Sequence, residues 1–364
     1  MGANNHARQS NIELLRILTM IAIVAHHFAV HGGFEYATES ISLNRFWIQF
    51  LQVGGKIGVN VFILISGYFL ISLEKAKIGK ILKLWSQVFF YSIVLFVIFA
   101  VTKEKSFDVR SLIYHLLPIT FRQWWFASSY FVLFLLVPYI NTLLKSFNKR
   151  QYKGFLLLLF ICWCIIPTLT YTSFEGNALL WFVFLYSVSG YIRLFGFKTN
   201  LSGLKLVAIS LAGILLIFVS AIVFDILGTK IALFADNTTY FYGMNRIPTF
   251  VVALLLFVGF LNIQIKTSKV INTISAAMFG VYLIHDNEDV RVFIWNTLFN
   301  SSSYSENSML ILYSLLIILV VFICCTMIEL LRIHLLEKNY LPIINKLAQV
   351  IDKKKETVLS KLER

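Results

Sequence analysis

Apolar runs alternate with short polar stretches along almost the whole chain, over 12–31, 46–72, 84–102, 124–144, 154–172, 178–195, 206–227, 246–262, 276–297 and 309–331. A helix crosses the hydrocarbon core of a bilayer with about 20 mostly apolar residues. The runs meet that length and leave no room for a soluble domain. The stretches between them, such as "KSFNKRQYK" at 145–153 and "GFKTNLSGLK" at 196–205, are short and polar. No repeat, low-complexity tract or Pro/Gly linker divides the chain. The pattern predicts an all-α polytopic bundle of about ten transmembrane helices. It forms one integral-membrane domain over 1–333, followed by a basic C-terminal tail over 334–364.

Composition agrees. Of 364 residues, 58% are hydrophobic and only 14% charged, where soluble domains carry nearer a quarter charged residues. Phe, Tyr and Trp are abundant, as interfacial belts require. The first apolar run contains Arg16, His26 and His27 and is followed by no small-residue cleavage site, so it reads as a retained span rather than a signal peptide. Cys162, Cys164, Cys324 and Cys325 all fall within apolar runs, at spacings whose side chains do not face one another on a helix. They read as small apolar residues, with no disulfide or metal set.

The net charge of +14 changes the picture only through its distribution. With the N-terminus inside, the cytoplasmic segments collect Arg8, Arg16, Lys75, Lys77, Lys80, Lys83, Lys145, Lys149, Arg150, Lys153 and the tail, while the outer loops hold far fewer basic residues. This asymmetry orients the chain. With ten spans both termini are cytoplasmic, and the tail ("DKKKE", 352–356) sets topology and contacts anionic membrane lipids. The charge marks sidedness and excludes a nucleic-acid partner.

Ionisable groups within a span usually face an interior cavity, because lipid makes them costly. Arg16 and His27 stand eleven positions apart, three turns plus about 20°, so both project from one face, roughly 16 Å apart along the axis. Each has a structural alternative: Arg16 as a snorkelling anchor paired with Glu13, His27 as a hydrogen-bonded core histidine. On a shared stripe they suggest an anion held near the cytoplasm and protons handled deeper in. In the second span, Gly54, Gly55 and Gly58 permit close approach of a backbone or a ligand, and Lys56 and Asn60 share a face too polar for lipid. Lys80 and Lys83, at i and i+3, share a face at the start of the third span. Trp124 and Trp125 read first as interfacial anchors, with Tyr130 a pocket candidate. In the ninth span His285 reaches a depth similar to His27, and Asp286, Glu288, Asp289 and Arg291 after it must meet a wet cavity or the outer surface.

"NIELLRILTMIAIVAHHF" (11–28) resembles the first helix of the acyltransferase-3 family of bacterial integral-membrane acyltransferases, which carries Arg, ten residues, then His. "GGKIGVNVFILISGYFLI" resembles a second family segment, with Gly58, Asn60, Ser66, Gly67 and Tyr68 in corresponding places. "RQWWFASSYFVLFLLVPYIN" resembles a third, although the Glu many members carry there is absent. "SAAMFGVYLIHDNEDVRVFIW", with Tyr282 and His285, resembles the closing segment, and its continuation is similar to members of the surface-polysaccharide type. Where the family often places Arg-x-x-Arg for donor phosphates, this chain has Lys80 and Lys83, which bind phosphate as point charges without a bidentate fork.

The resemblance implies a multi-pass enzyme of the bacterial cell membrane. Its expected activity is O-acetyl transfer from cytoplasmic acetyl-CoA, a co-substrate rather than a resident cofactor, to a surface polysaccharide or undecaprenyl-linked sugar. Arg16, His27 and His285 would form the catalytic group, with Arg16, Lys80 and Lys83 binding the donor. Lys56, Asn60, Ser66, Tyr68, Tyr130 and Tyr282 would line the pocket. His27 suits a general base because imidazole titrates near neutral pH; an acyl-histidine intermediate stays open. A transporter or flippase of lipid-linked saccharides is the alternative of a different class.

Overall fold

In a computed structural model, residues 9–37, 41–73, 78–102 and 108–362 are described. Arg8, Lys75 and Lys77 of the charge pattern lie outside them. The helices are α1 (Ser10–His31), α2 (Leu43–Leu70), α3 (Ile78–Val101), α4 (Val109–Leu116), α5 (Trp125–Ser146), α6 (Lys149–Thr170), α7 (Ala178–Phe195), α8 (Gly203–Gly228), α9 (Ile247–Asn262), α10 (Lys269–Ala276), α11 (Met278–His285), α12 (Glu288–Val292), α13 (Leu310–Leu331) and α14 (Lys338–Leu362). Polar residues start many of them, as helix ends demand. Ser42 caps α2, Asn177 caps α7, Ser202 caps α8, and Asn148 with Gln151 forms a capping box at α6.

Nine helices among the described residues are long and apolar enough to span a bilayer. The ninth expected span, 276–297, is not one of them: it is broken into α10, α11, α12 and a π turn. It still runs beside α1 from end to end. Ser10 Oγ donates to Asn272 Oδ1 at 3.0 Å and accepts from the Ser268 amide at 2.9 Å, while at the far end Trp295 packs edge-on against Phe28. Backbone polar groups freed at helix breaks within a membrane need protein or water partners, so such breaks mark an interior cavity. Asn287 satisfies one break by accepting from the amides of Asp289 and Val290.

α1 lies closest to α2. A Cβ on Gly54 would come within 2.7 Å of Ala22, one on Gly55 would overlap the His26 ring, and one on Gly58 would meet Ile23 at 2.9 Å. The glycines therefore admit a neighbouring helix. Arg45 and Gln49 of α2 clamp Asp225 of α8, with Arg45 nitrogens 2.6 and 3.0 Å from its carboxylate oxygens. α8 and α13 turn rows of Leu, Ile and Val outward, the surface lipid chains cover.

The expectation for the tryptophans changes. Trp124 is not an interfacial anchor: it is buried in the core, and Trp125 lines an interior cavity. The basic segment from 334 is helical and packed: a π turn at Arg332–Glu337 joins α13 to α14, which packs on α3 and buries Ala348 beside Gly79. Arg332, Ile333 and Glu337 of that π turn form part of an interior cavity wall.

Candidate active site

A cavity of about 540 Å³ opens between α1, α2, α3, α5, the α10–α11 break and the end of α13. Its wall on α1 extends from Glu13 to His27, roughly 21 Å at about 1.5 Å per residue. One end is ionic, formed by Glu13, Arg16, Lys80, Lys83, Arg332 and Glu337; the other is formed by His26, His27, Lys56, Trp125 and Tyr282. Ser66 and Tyr130 lie along it, the Tyr130 hydroxyl donating to Ser66 Oγ at 3.2 Å.

Most of the residues singled out in the sequence thus share one space: Arg16, His27, Lys56, Ser66, Lys80, Lys83, Tyr130 and Tyr282. Two do not. Asn60 is fully buried, donating to the Met244 carbonyl at 2.7 Å and accepting from the Trp181 indole at 2.9 Å. Its polarity ties α2 to α7 and to the turn that precedes α9. Tyr68 lies under the Arg193 guanidinium, 4.9 Å from its ring centroid, away from the cavity. His285 sits behind His27 rather than on the wall.

That placement fixes the histidine protons. His285 Nδ1 lies 2.6 Å from the Val281 carbonyl oxygen, which only accepts, so Nδ1 carries the hydrogen. In the neutral ring Nε2 is then an acceptor, and it stands 2.9 Å from His27 Nδ1. His27 therefore donates through Nδ1 and keeps Nε2 unprotonated. Asp286 Oδ1 is 3.6 Å from His27 Nδ1, and Arg291 is 3.6 Å from the same oxygen. A proton gained by His27 Nε2 creates an imidazolium beside a carboxylate, an arrangement that orients and stabilises a general base. His26, whose Nδ1 donates to the Gln52 carbonyl at 2.8 Å, has no carboxylate within ion-pair distance among the described residues.

His31 is the other titratable ring against His27, with centroids 5.5 Å apart, and His27, His31 and Asp286 each bring a ligand atom within 4.8 Å of the others. Arg291 already sits against the Asp286 carboxylate, 3.6 Å from the oxygen that faces His27, so a further cation is opposed there.

At the ionic end, Arg16 reaches Glu13 at 3.2 Å, Glu13 accepts from Ser275, and Lys83 pairs with Glu337. Glu329 was missed by sequence reasoning. It is fully buried and accepts from Gln87, Tyr91 and Arg332 at 2.9, 2.5 and 2.8 Å. A Cβ on Gly280 would fall on its carboxylate. The signal was "IELLR": a carboxylate inside an apolar run with Arg332 at i+3, read as the end of a span.

The family model for an acyltransferase domain, that of the acyltransferase-3 family, matches residues 9–329. No curated protein and no solved structure matches. The chain belongs to the acyltransferase-3 family and is a membrane acyltransferase.

Proposed function

We propose that this member of the family is an O-acetyltransferase of the bacterial cell membrane, moving an acetyl group from cytoplasmic acetyl-CoA to a hydroxyl of a surface polysaccharide or an undecaprenyl-linked sugar. The observation that carries the reading is the cavity itself, ionic at one end and holding an oriented imidazole base at the other. The Lys/Arg asymmetry supports placing the ionic end at the cytoplasm. Acetyl-CoA brings phosphates there, against Lys80, Lys83 and Arg16, and its thioester reaches toward His27.

The chemistry follows from the tautomer. His27 Nε2 takes the proton of the acceptor hydroxyl as the oxygen attacks the thioester carbonyl. Asp286, 3.6 Å from Nδ1, stabilises the imidazolium, and His285 holds the ring in register. The same proton passes to the departing thiolate. Histidine suits both halves because its unperturbed pKa is about 6.5.

The test is His27→Ala in the full-length protein in lipid nanodiscs. Thiol release from acetyl-CoA and gain of an acetyl mass on a saccharide acceptor are expected to vanish, while expression and donor binding persist. Undiminished turnover in that variant refutes the reading.

A further inference from the structure

Three of the cations lining the cavity are already paired. Arg16 faces Glu13, Lys83 faces Glu337, and Arg332 is held by Glu329 and Glu337. Lys80 stands at the ionic end beside Lys83, one turn along the same helix face. Lys56 is different. It follows Gly55, whose bare backbone packs on the His26 ring, so it comes from α2 at the level of His26 and His27 and lines the same wall. Among the described residues no carboxylate lies within ion-pair distance of its ammonium. Its close partner is the face of Trp125, 4.7 Å from Nζ to the ring centroid. A lysine within a membrane-spanning helix is costly and marks function when it faces a cavity. A cation resting on an aromatic face keeps its charge available, with no ion pair to break before it meets a new anion.

Acyl transfer needs a donor or cation at the oxygen where negative charge develops, held in place before the reaction begins. Neither His27 nor His285 supplies it, since His27 takes the proton and both Nδ1 hydrogens are engaged. Resting on the acyl-transfer reading above, we propose that Lys56 is a catalytic residue, the cation that stabilises the oxyanion of the tetrahedral intermediate. The acceptor oxygen forms a bond to the thioester carbonyl carbon while His27 Nε2 takes its proton. The carbonyl π pair moves onto oxygen, beside the Lys56 ammonium. Collapse restores the carbonyl, breaks the C–S bond, and the thiolate leaves with the proton from His27. Trp125 sets the ammonium's position, so its indole is part of the same device.

The experiment compares the full-length protein with Lys56→Met and Lys56→Arg in nanodiscs, measuring thiol release over a range of acetyl-CoA concentrations. Lys56→Met should lower kcat about 10²- to 10³-fold, the usual effect of removing one oxyanion donor. KM for acetyl-CoA should stay within about threefold, since the contact forms only in the transition state. Lys56→Arg, which keeps the charge, should recover part of the loss; a merely structural lysine would not give this split between kcat and KM. If Lys56→Met fails to fold, Lys56→Gln serves the same comparison with unfolding midpoints matched to the parent. Unchanged kcat, or a raised KM with kcat retained, overturns the oxyanion role. A parent protein that releases no thiol from acetyl-CoA overturns instead the acyl-transfer reading on which it rests.

Discussion

Replacing Asp286 by Asn removes a charge and leaves the side-chain shape, which isolates the electrostatic part of the His27 arrangement. Asp286 Oδ1 lies 3.6 Å from His27 Nδ1. At an effective dielectric of about 20, a carboxylate and an imidazolium at that separation attract by roughly 4–5 kcal/mol. Arg291 stands 3.6 Å from the same oxygen and is partly exposed, so water and the guanidinium share the carboxylate's field. Discounting the attraction by about half leaves roughly 2–3 kcal/mol of stabilisation that exists only when His27 is protonated. At about 1.4 kcal/mol per tenfold, kcat for acetyl transfer should fall about 30- to 150-fold. KM for acetyl-CoA should hold, since the donor site proposed above lies at the other end of the cavity. The variant also strands Arg291 beside the forming imidazolium, so Asp286→Asn/Arg291→Gln should recover part of the lost rate. Steady-state thiol release from both variants in nanodiscs makes the measurement. A kcat for Asp286→Asn within about threefold of the parent would refute the assignment of His27 as a base stabilised by this carboxylate.

Two further outcomes follow from the packing and from the ionic end. Gly55→Ala places a methyl group on the His26 ring, and overpacking of this kind costs about 1–3 kcal/mol; the thermal unfolding midpoint should drop, and an unchanged midpoint would show that α1 and α2 do not pack through this glycine. Lys80→Met/Lys83→Met removes two cations from the expected phosphate end and leaves Glu337 without its Lys83 partner, so KM for acetyl-CoA should rise at least about tenfold with kcat largely retained, as for a ground-state binding contact. A fall in kcat with KM unmoved would place the donor elsewhere.

The spans were legible because hydrocarbon imposes a length and a composition, and the chain obeys both nearly everywhere. The Arg16–His27 stripe was legible for a related reason: helical periodicity is rigid, so two positions eleven apart must share a face. His285 was placed at the right depth by rise per residue alone. Its contact with His27 was not, because hydrogen bonds between helices depend on packing angles that no single helix specifies. Glu329 shows the opposite failure. Near the end of an apolar run it reads as a terminal charge, yet tertiary packing buries it among Gln87, Tyr91 and Arg332.

By itself, then, the sequence determined that the chain is a bundle of apolar, membrane-spanning helices, their order, and the helix faces on which the charged and titratable groups ride. These are local properties, set by backbone geometry and the cost of placing polar groups in lipid. Only the tertiary structure decided that the ninth crossing is broken, that Asn60 and Tyr68 brace helices while Lys56 and Trp125 face the cavity, and which nitrogen of His27 is free. Those outcomes depend on close packing between distant segments, where a missing Cβ at Gly55 or a carbonyl at Val281 fixes what each side chain can reach.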